Sequence, residues 1–152
     1  MFEVIVVGTD GSESAAVAVR HATALAKLAG GTLHVVSVYR PVSLGSVAIA
    51  ASAGISTVDV EDVNRGVAAE GAQICDHAAT KAQDQGVKVE KHVVPGEPAD
   101  VLVNIAKDVG ADLVVVGNRG MSGARRFVLG SVPNKVSHHC PCSLLIVDTA
   151  AG

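Results

Sequence analysis

The chain alternates between short β-branched apolar runs and longer stretches in which apolar residues recur every three or four positions. "VIVVG" (Val4–Gly8) is a compact apolar run bounded by glycine and predicts a buried strand. In the stretch that follows, "DGSESAAVAVRHATALAKLAGG", Ala15, Val19, Ala22, Ala26 and Ala29 fall on one helical stripe. Ser12 is placed to cap that helix, and Gly30–Gly31 to stop it. "TLHVVSVY" (Thr32–Tyr39) predicts a second strand. Pro41–Thr57 is rich in Ala, Ser and Gly and has no clean period, so it reads as a long loop, either a lid or a crossover.

The alternation then resumes. "VEDVNRGVAAEGAQICDHAATKAQDQG" predicts a helix ending at Gly86, and "VKVEKHVV" a third strand. "EPADVLVNIAKDVG" predicts a short helix with Pro98 tolerated in its first turn. "ADLVVVG" is a fourth strand, "SVPNKVSHH" a helix and "SLLIVD" a fifth strand. Strand and helix in strict succession argue for an α/β fold, a parallel sheet with helices on both faces. Sheets of that kind bind ligands beyond the carboxyl ends of their strands, where strand order reverses. Two strand exits have suitable chemistry: Gly8-Thr9-Asp10-Gly11, and the glycine-rich stretch "GNRGMSGARRFVLGS" from Gly117 to Ser131.

Length and composition narrow the classes. At 152 residues, 49% hydrophobic and 18% charged, the chain fits a single globular domain over 1–152. A net charge of −3 and only two Phe and one Tyr argue against a nucleic-acid binder, which needs a basic footprint or a stacking platform. No apolar run approaches the length of a membrane span. The N-terminus enters a strand at once, without a basic region and cleavage site, so a cytoplasmic location is expected. The three cysteines, Cys75, Cys140 and Cys142, build no disulfide framework, which fits a reducing compartment.

The glycine-rich stretch lacks the Gly-Lys-Ser/Thr of a Walker loop and the spacing of a dinucleotide fingerprint. Its chemistry still suits an anion. Gly117 and Gly120 can turn backbone N–H groups toward a phosphate. With Ser131 as N-cap, the free N–H groups of the following helix and its dipole would point to the same place. Pro133 has no N–H and so fixes that first turn. The excursion Met121–Leu129 would fold over the ligand and bring Arg125 and Arg126 to terminal phosphates. Asp10 could accept from a ribose hydroxyl or hold a metal through water, or else close an Asx turn with Gly11 and Ser12.

The pattern Gly117-x2-Gly120-x9-Gly130-Ser131 resembles the ATP-binding signature of universal stress proteins, and the likeness extends along the chain. "VIVVGTDGSESAAVAV", "GEPADVLVNIAKDVGADLVVVGNRG" and "LGSVPNKVSHHCPCSLLIV" are similar to that family's beginning, middle and end. The resemblance implies a five-stranded parallel sheet in order 3-2-1-4-5, a dimer, and ATP, with Mg2+, lying across the first and fourth strands. It would place Thr9 and Asp10 at the ribose and adenine end and Val38 against adenine through its backbone. Val116 and Gly117 would flank the ribose, and Gly120, Gly130, Ser131 and Val132 would hold the phosphates. It implies a nucleotide-sensing regulator in stress response rather than a dedicated enzyme. Cyclic AMP or AMP as the ligand, or slow ATP hydrolysis, remain open readings. Pro41–Thr57 matches nothing in the family pattern.

Other motifs point less far. The turn "GTDGSES" has no histidine, as an adenylyl transferase of this fold class would require after its first strand. His138, His139, Cys140 and Cys142 have the residue types of a zinc site but poor spacing for one. His21, His34, His77 and His92 stand singly and suggest no site. If "SLLIVD" is an edge strand, Leu144–Val147 would present unpaired apolar backbone, which a two-fold mate could cover in a homodimer.

Overall fold

A computed structural model describes residues 1–54, 59–118 and 129–149. Five strands, β1 (Val4–Thr9), β2 (Thr32–Tyr39), β3 (Lys88–Pro95), β4 (Leu113–Gly117) and β5 (Ser143–Val147), form one sheet. Every pairing is parallel, as the alternation of elements predicts, and the order is β3-β2-β1-β4-β5, as the family resemblance implies. Strand order reverses between β1 and β4.

The period-two alternation of each strand divides its side chains between two cores. Ile5, Val7, Leu33, Val35, Leu113 and Val115 face helices α1 (Glu13–Ala29) and α3 (Val60–Gln83). Val6, Val36, Val114 and Val116 face α4 (Pro98–Asp108) and α5 (Ser131–His139). Both faces of the central strands are therefore covered, which is why β1 and β4 read as near-unbroken apolar runs, while β2 keeps His34 and Ser37 buried among its apolar residues. Each fully buried Val, Ile or Leu contributes about 1.5–3 kcal/mol of transfer free energy.

The helix termini follow local chemistry. Ser12 accepts from the Ala15 N–H at 3.1 Å, and Gly30 closes α1 in the left-handed region at φ 65°. Glu97 caps α4, with Pro98 in its first turn where the missing N–H costs nothing. The predicted stripe of α1 holds at Val19, Ala22 and Ala26, joined by Val17 and Ala18, while Ala29 is exposed in the last turn.

One expectation fails. Within Pro41–Thr57, read as a loop, the structure forms a helix, α2 (Leu44–Ser52), capped by Ser43. None of its residues is buried, and Leu44 and Ile49 are exposed. A helix that covers no core needs no apolar stripe, so its sequence carries no period to read.

A candidate nucleotide site at the strand exits

The carboxyl ends of β1, β2 and β4 meet the start of α5 around a cavity of about 120 Å3. Thr9, Asp10, Val38, Val116, Gly117 and Val132 all line it, so six of the ten residues singled out in the sequence share one wall. Gly130 and Ser131 stand at the N-terminus of α5 beside it. Gly120 and Arg125 lie outside the described residues. A larger groove of about 720 Å3 runs between α1 and α3, bordered by Arg20, Gln73 and Lys81. It is a gap between helix flanks, whereas the smaller cavity sits where strand order reverses, so the smaller is the better candidate for a nucleotide.

Asp10 forms the Asx turn: its Oδ1 accepts from the Ser12 N–H at 2.9 Å, while Thr9 Oγ1 accepts from the Gly11 N–H at 3.3 Å. Gly11 takes φ 79°, the left-handed geometry this exit requires. The turn fixes the Asp10 carboxylate at the cavity wall, so the turn and the binding reading are compatible. Gly8 serves a different end. A Cβ there would stand 3.1 Å from Leu102 Cδ1, so the glycine lets α4 lie close on β1 beside the cavity.

The α5 terminus differs from expectation by one residue. Gly130, not Ser131, is the N-cap, because the first helical bond runs from the Asn134 N–H to the Gly130 carbonyl at 3.1 Å. Ser131 is thus already helical. Ser12, Ser43, Asp59 and Glu97 each close their helices with a side chain, but α5 has no side-chain cap hydrogen bond. Its dipole favours an anion at that end. Pro133 sits fully buried in that first turn, as predicted. Lys135 anchors α5 to α4, donating to Asp100 Oδ2 at 2.8 Å and Glu97 Oε2 at 3.4 Å. Those carboxylates, Asp100 first, hold its ammonium above the usual lysine range.

Asn118 escaped the sequence reading. Its carbonyl accepts from the Gly130 N–H at 3.0 Å, which brings the two ends of the glycine-rich stretch together. Its side chain accepts from the Thr149 N–H at 3.1 Å and donates to Asp148 at 3.0 Å, tying the exits of β4 and β5. A polar residue directly after a strand was the only signal, and it is a common one.

The cysteine-histidine stretch brings its two thiols together but not its histidines. His138 and His139 are exposed, and Cys140 and Cys142 approach each other at 3.8 Å between sulfurs without the histidines converging on them. Burial, with Cys140 adding to it, pushes the Cys142 thiol up to about 12, a protonated form that ligates poorly. The view of His34 and His92 as isolated is corrected: their ring nitrogens lie 3.0 Å apart, because adjacent parallel strands put them on the same face.

No helix among the described residues is long and apolar enough to cross a membrane. The family model of the universal stress proteins matches residues 1–148. Universal stress protein YxiE of Bacillus subtilis is 35% identical over 147 residues, covering 97% of this chain and 99% of its own. A universal stress protein solved in complex with cAMP is 33% identical, covers 98% of both chains and superposes with a TM-score of 0.69. The universal stress protein of Archaeoglobus fulgidus in complex with dAMP shares the fold at 23% identity and a TM-score of 0.67, covering 97% of this chain and 98% of its own. With its sheet order, its glycine-rich exit and these likenesses, the chain belongs to the universal stress protein family.

Proposed function

We propose that this protein binds ATP, with Mg2+, across the exits of β1 and β4 and acts as a nucleotide-sensing regulator in stress response rather than as a dedicated catalyst. The observation that carries the reading is the α5 terminus. Among the described residues it is the one helix start without a side-chain cap, and the Asn118 carbonyl accepts from its Gly130 N–H beside the cavity that Thr9, Asp10 and Val38 also line. The adenosine would enter the apolar cavity, and the phosphates would run toward the N–H groups of Ser131 and Val132. Asp10, with its carboxylate fixed by the turn, would hold a hydrated Mg2+ through water. The β5 edge would pair with a second copy, making a homodimer.

A second reading has an observation of its own. The relative solved with cAMP is 33% identical over nearly the whole chain, which favours a cyclic nucleotide using the same adenine and ribose walls.

Calorimetry with ATP–Mg2+ and then cyclic AMP, on the wild type and on Gly117→Val, separates these readings. The variant adds a branched side chain to the wall of a cavity of only about 120 Å3. Tighter binding of ATP, weakened by about tenfold or more in the variant, is the expected result. Preference for cyclic AMP would move the conclusion to the second reading. Failure of the wild type to bind either nucleotide would end both.

A further inference from the structure

On the face of the sheet shared with α4 and α5, β2 and β3 carry three side chains that no part of the nucleotide site uses. The parallel register sets His34 beside Glu90 and Val36 beside His92. Alternate residues share a face, so His34, Glu90 and His92 form a triangle: two cross-strand neighbours and one diagonal neighbour. The ligating atoms of all three lie within 4.8 Å of one another, and among the described residues this is the only such group. His34 Nδ1 is 3.0 Å from His92 Nε2 and 3.7 Å from Glu90 Oε2.

We propose that His34, Glu90 and His92 form a binding site for one late transition-metal dication, with Zn2+ the best-fitting ion. Two nitrogens each bound to a common zinc stand roughly 2.9–3.4 Å apart at ligand angles between square and tetrahedral. The His34–His92 separation of 3.0 Å already falls in that range, and a turn of the rings would aim both lone pairs at one ion. Glu90, with its side chain 52% exposed, is free to swing the remaining distance. Two imidazoles and one carboxylate favour first-row transition dications, zinc and iron among them, over Mg2+ or Ca2+, which prefer oxygen ligands. His34 is buried, His92 half-buried and Glu90 exposed, so the ion would be held from beneath and keep one coordination position toward water.

Charge and protonation bear on the fit. Ligation needs each imidazole to offer a neutral ring nitrogen, and the Glu90 carboxylate supplies negative charge beside both rings. Lys88 weighs against a cation here, and the Glu90 carboxylate offsets it. Without metal, the 3.0 Å contact is an N–H···N hydrogen bond between the rings, which stack at 29° with centroids 5.2 Å apart. Zinc would sit to one side of the line between the two nitrogens, at about 2.0–2.1 Å from each, and the bridging proton would move to the other nitrogen of its ring. None of the three ligands lines the nucleotide cavity, although Val36, the register partner of His92, does, so the metal site and the cavity are neighbours on one face of the sheet.

The test is calorimetry of the chelator-treated full chain with Zn2+, and with Mg2+ as control. One zinc per chain is expected, and no Mg2+ heat. Outer ligand partners alone are worth about 10–100-fold in metal affinity, so His92→Ala and Glu90→Gln should each weaken zinc by about tenfold or more. The double variant Cys140→Ser, Cys142→Ser should bind as the wild type does. Imidazole NMR signals of His34 and His92 should shift on adding zinc, a readout that does not depend on any variant folding. Absence of one-to-one binding would overturn the proposal. So would zinc binding that survives His92→Ala, disappears with the cysteines, or leaves the two imidazole signals unmoved.

Discussion

The two edges of the sheet are built from opposite materials. β3 has no fully buried residue and carries Lys88, Glu90 and Lys91 exposed, with Lys91 donating to Asp76 of α3 at 2.6 Å. β5 is five residues, Ser143–Val147, and after its serine is wholly apolar. Leu144, Leu145 and Ile146 are half-buried, and Val147 is buried. A charged edge repels a further strand, so β3 can face water as it stands. An apolar edge with unpaired backbone invites one. The same sheet therefore ends once in a finished surface and once in a surface suited to a partner.

Breaking the apolar edge should give the largest effect. Ile146→Lys puts a charge where the proposed homodimer would bury a methyl-bearing side chain, and should raise the dimer dissociation constant about a hundredfold or more. Lys88→Glu on the other edge should change it by no more than about threefold. Sedimentation at several concentrations reads both, and thermal unfolding checks that the variants fold. Equal effects at the two edges, or a wild type that stays monomeric, would remove the contrast.

A smaller effect separates the edges by what lies beneath them. Val147→Ala empties a buried position in the core under α1 and should cost about 2 kcal/mol, whereas Val89→Ala on β3, only half-buried, should cost about 1 kcal/mol. Urea denaturation at one fixed protein concentration measures the difference, since assembly would otherwise shift the midpoint. A larger loss at Val89 would mean that β3 is better packed than its charges suggest.

The subtlest difference is in pH dependence. Cys75, under β2 and β3, and Cys142, at the foot of β5, are both held above the ordinary thiol value of 9.0, mainly by burial. The unfolded chain would release these protons first. Stability is therefore complete below about pH 9 and declines as pH rises toward the folded values. Alkylation near pH 8 should be slow at both thiols. Rapid modification of Cys142 would show its sulfur to be more open than its place against the second core implies.

Much of this architecture was legible because the central strands are buried on both faces, which forces contiguous Val and Ile runs. The caps at Ser12 and Gly30 and the proline at the start of α4 are local chemistry, readable residue by residue. α2 was not legible, since a helix with no core face leaves no period. In the candidate site, Thr9, Asp10, Val38, Val116, Gly117 and Val132 could be named from strand exits and family likeness. Asn118 could not, because its partners Gly130, Asp148 and Thr149 are 12, 30 and 31 residues away in the chain.

The sequence by itself determined the alternation of strand and helix, the glycine-rich exit of β4 and the apolar character of the last strand. Each of these is written in consecutive residues, through periodicity and turn chemistry. Only the tertiary structure decided which side chains from distant segments meet. It set Gly130 against Asn118 by a backbone hydrogen bond, and it set His34 against Glu90 and His92 through the register of two parallel strands. Register is fixed by which apolar residues find the cores, a property of the packed sheet that no single segment carries.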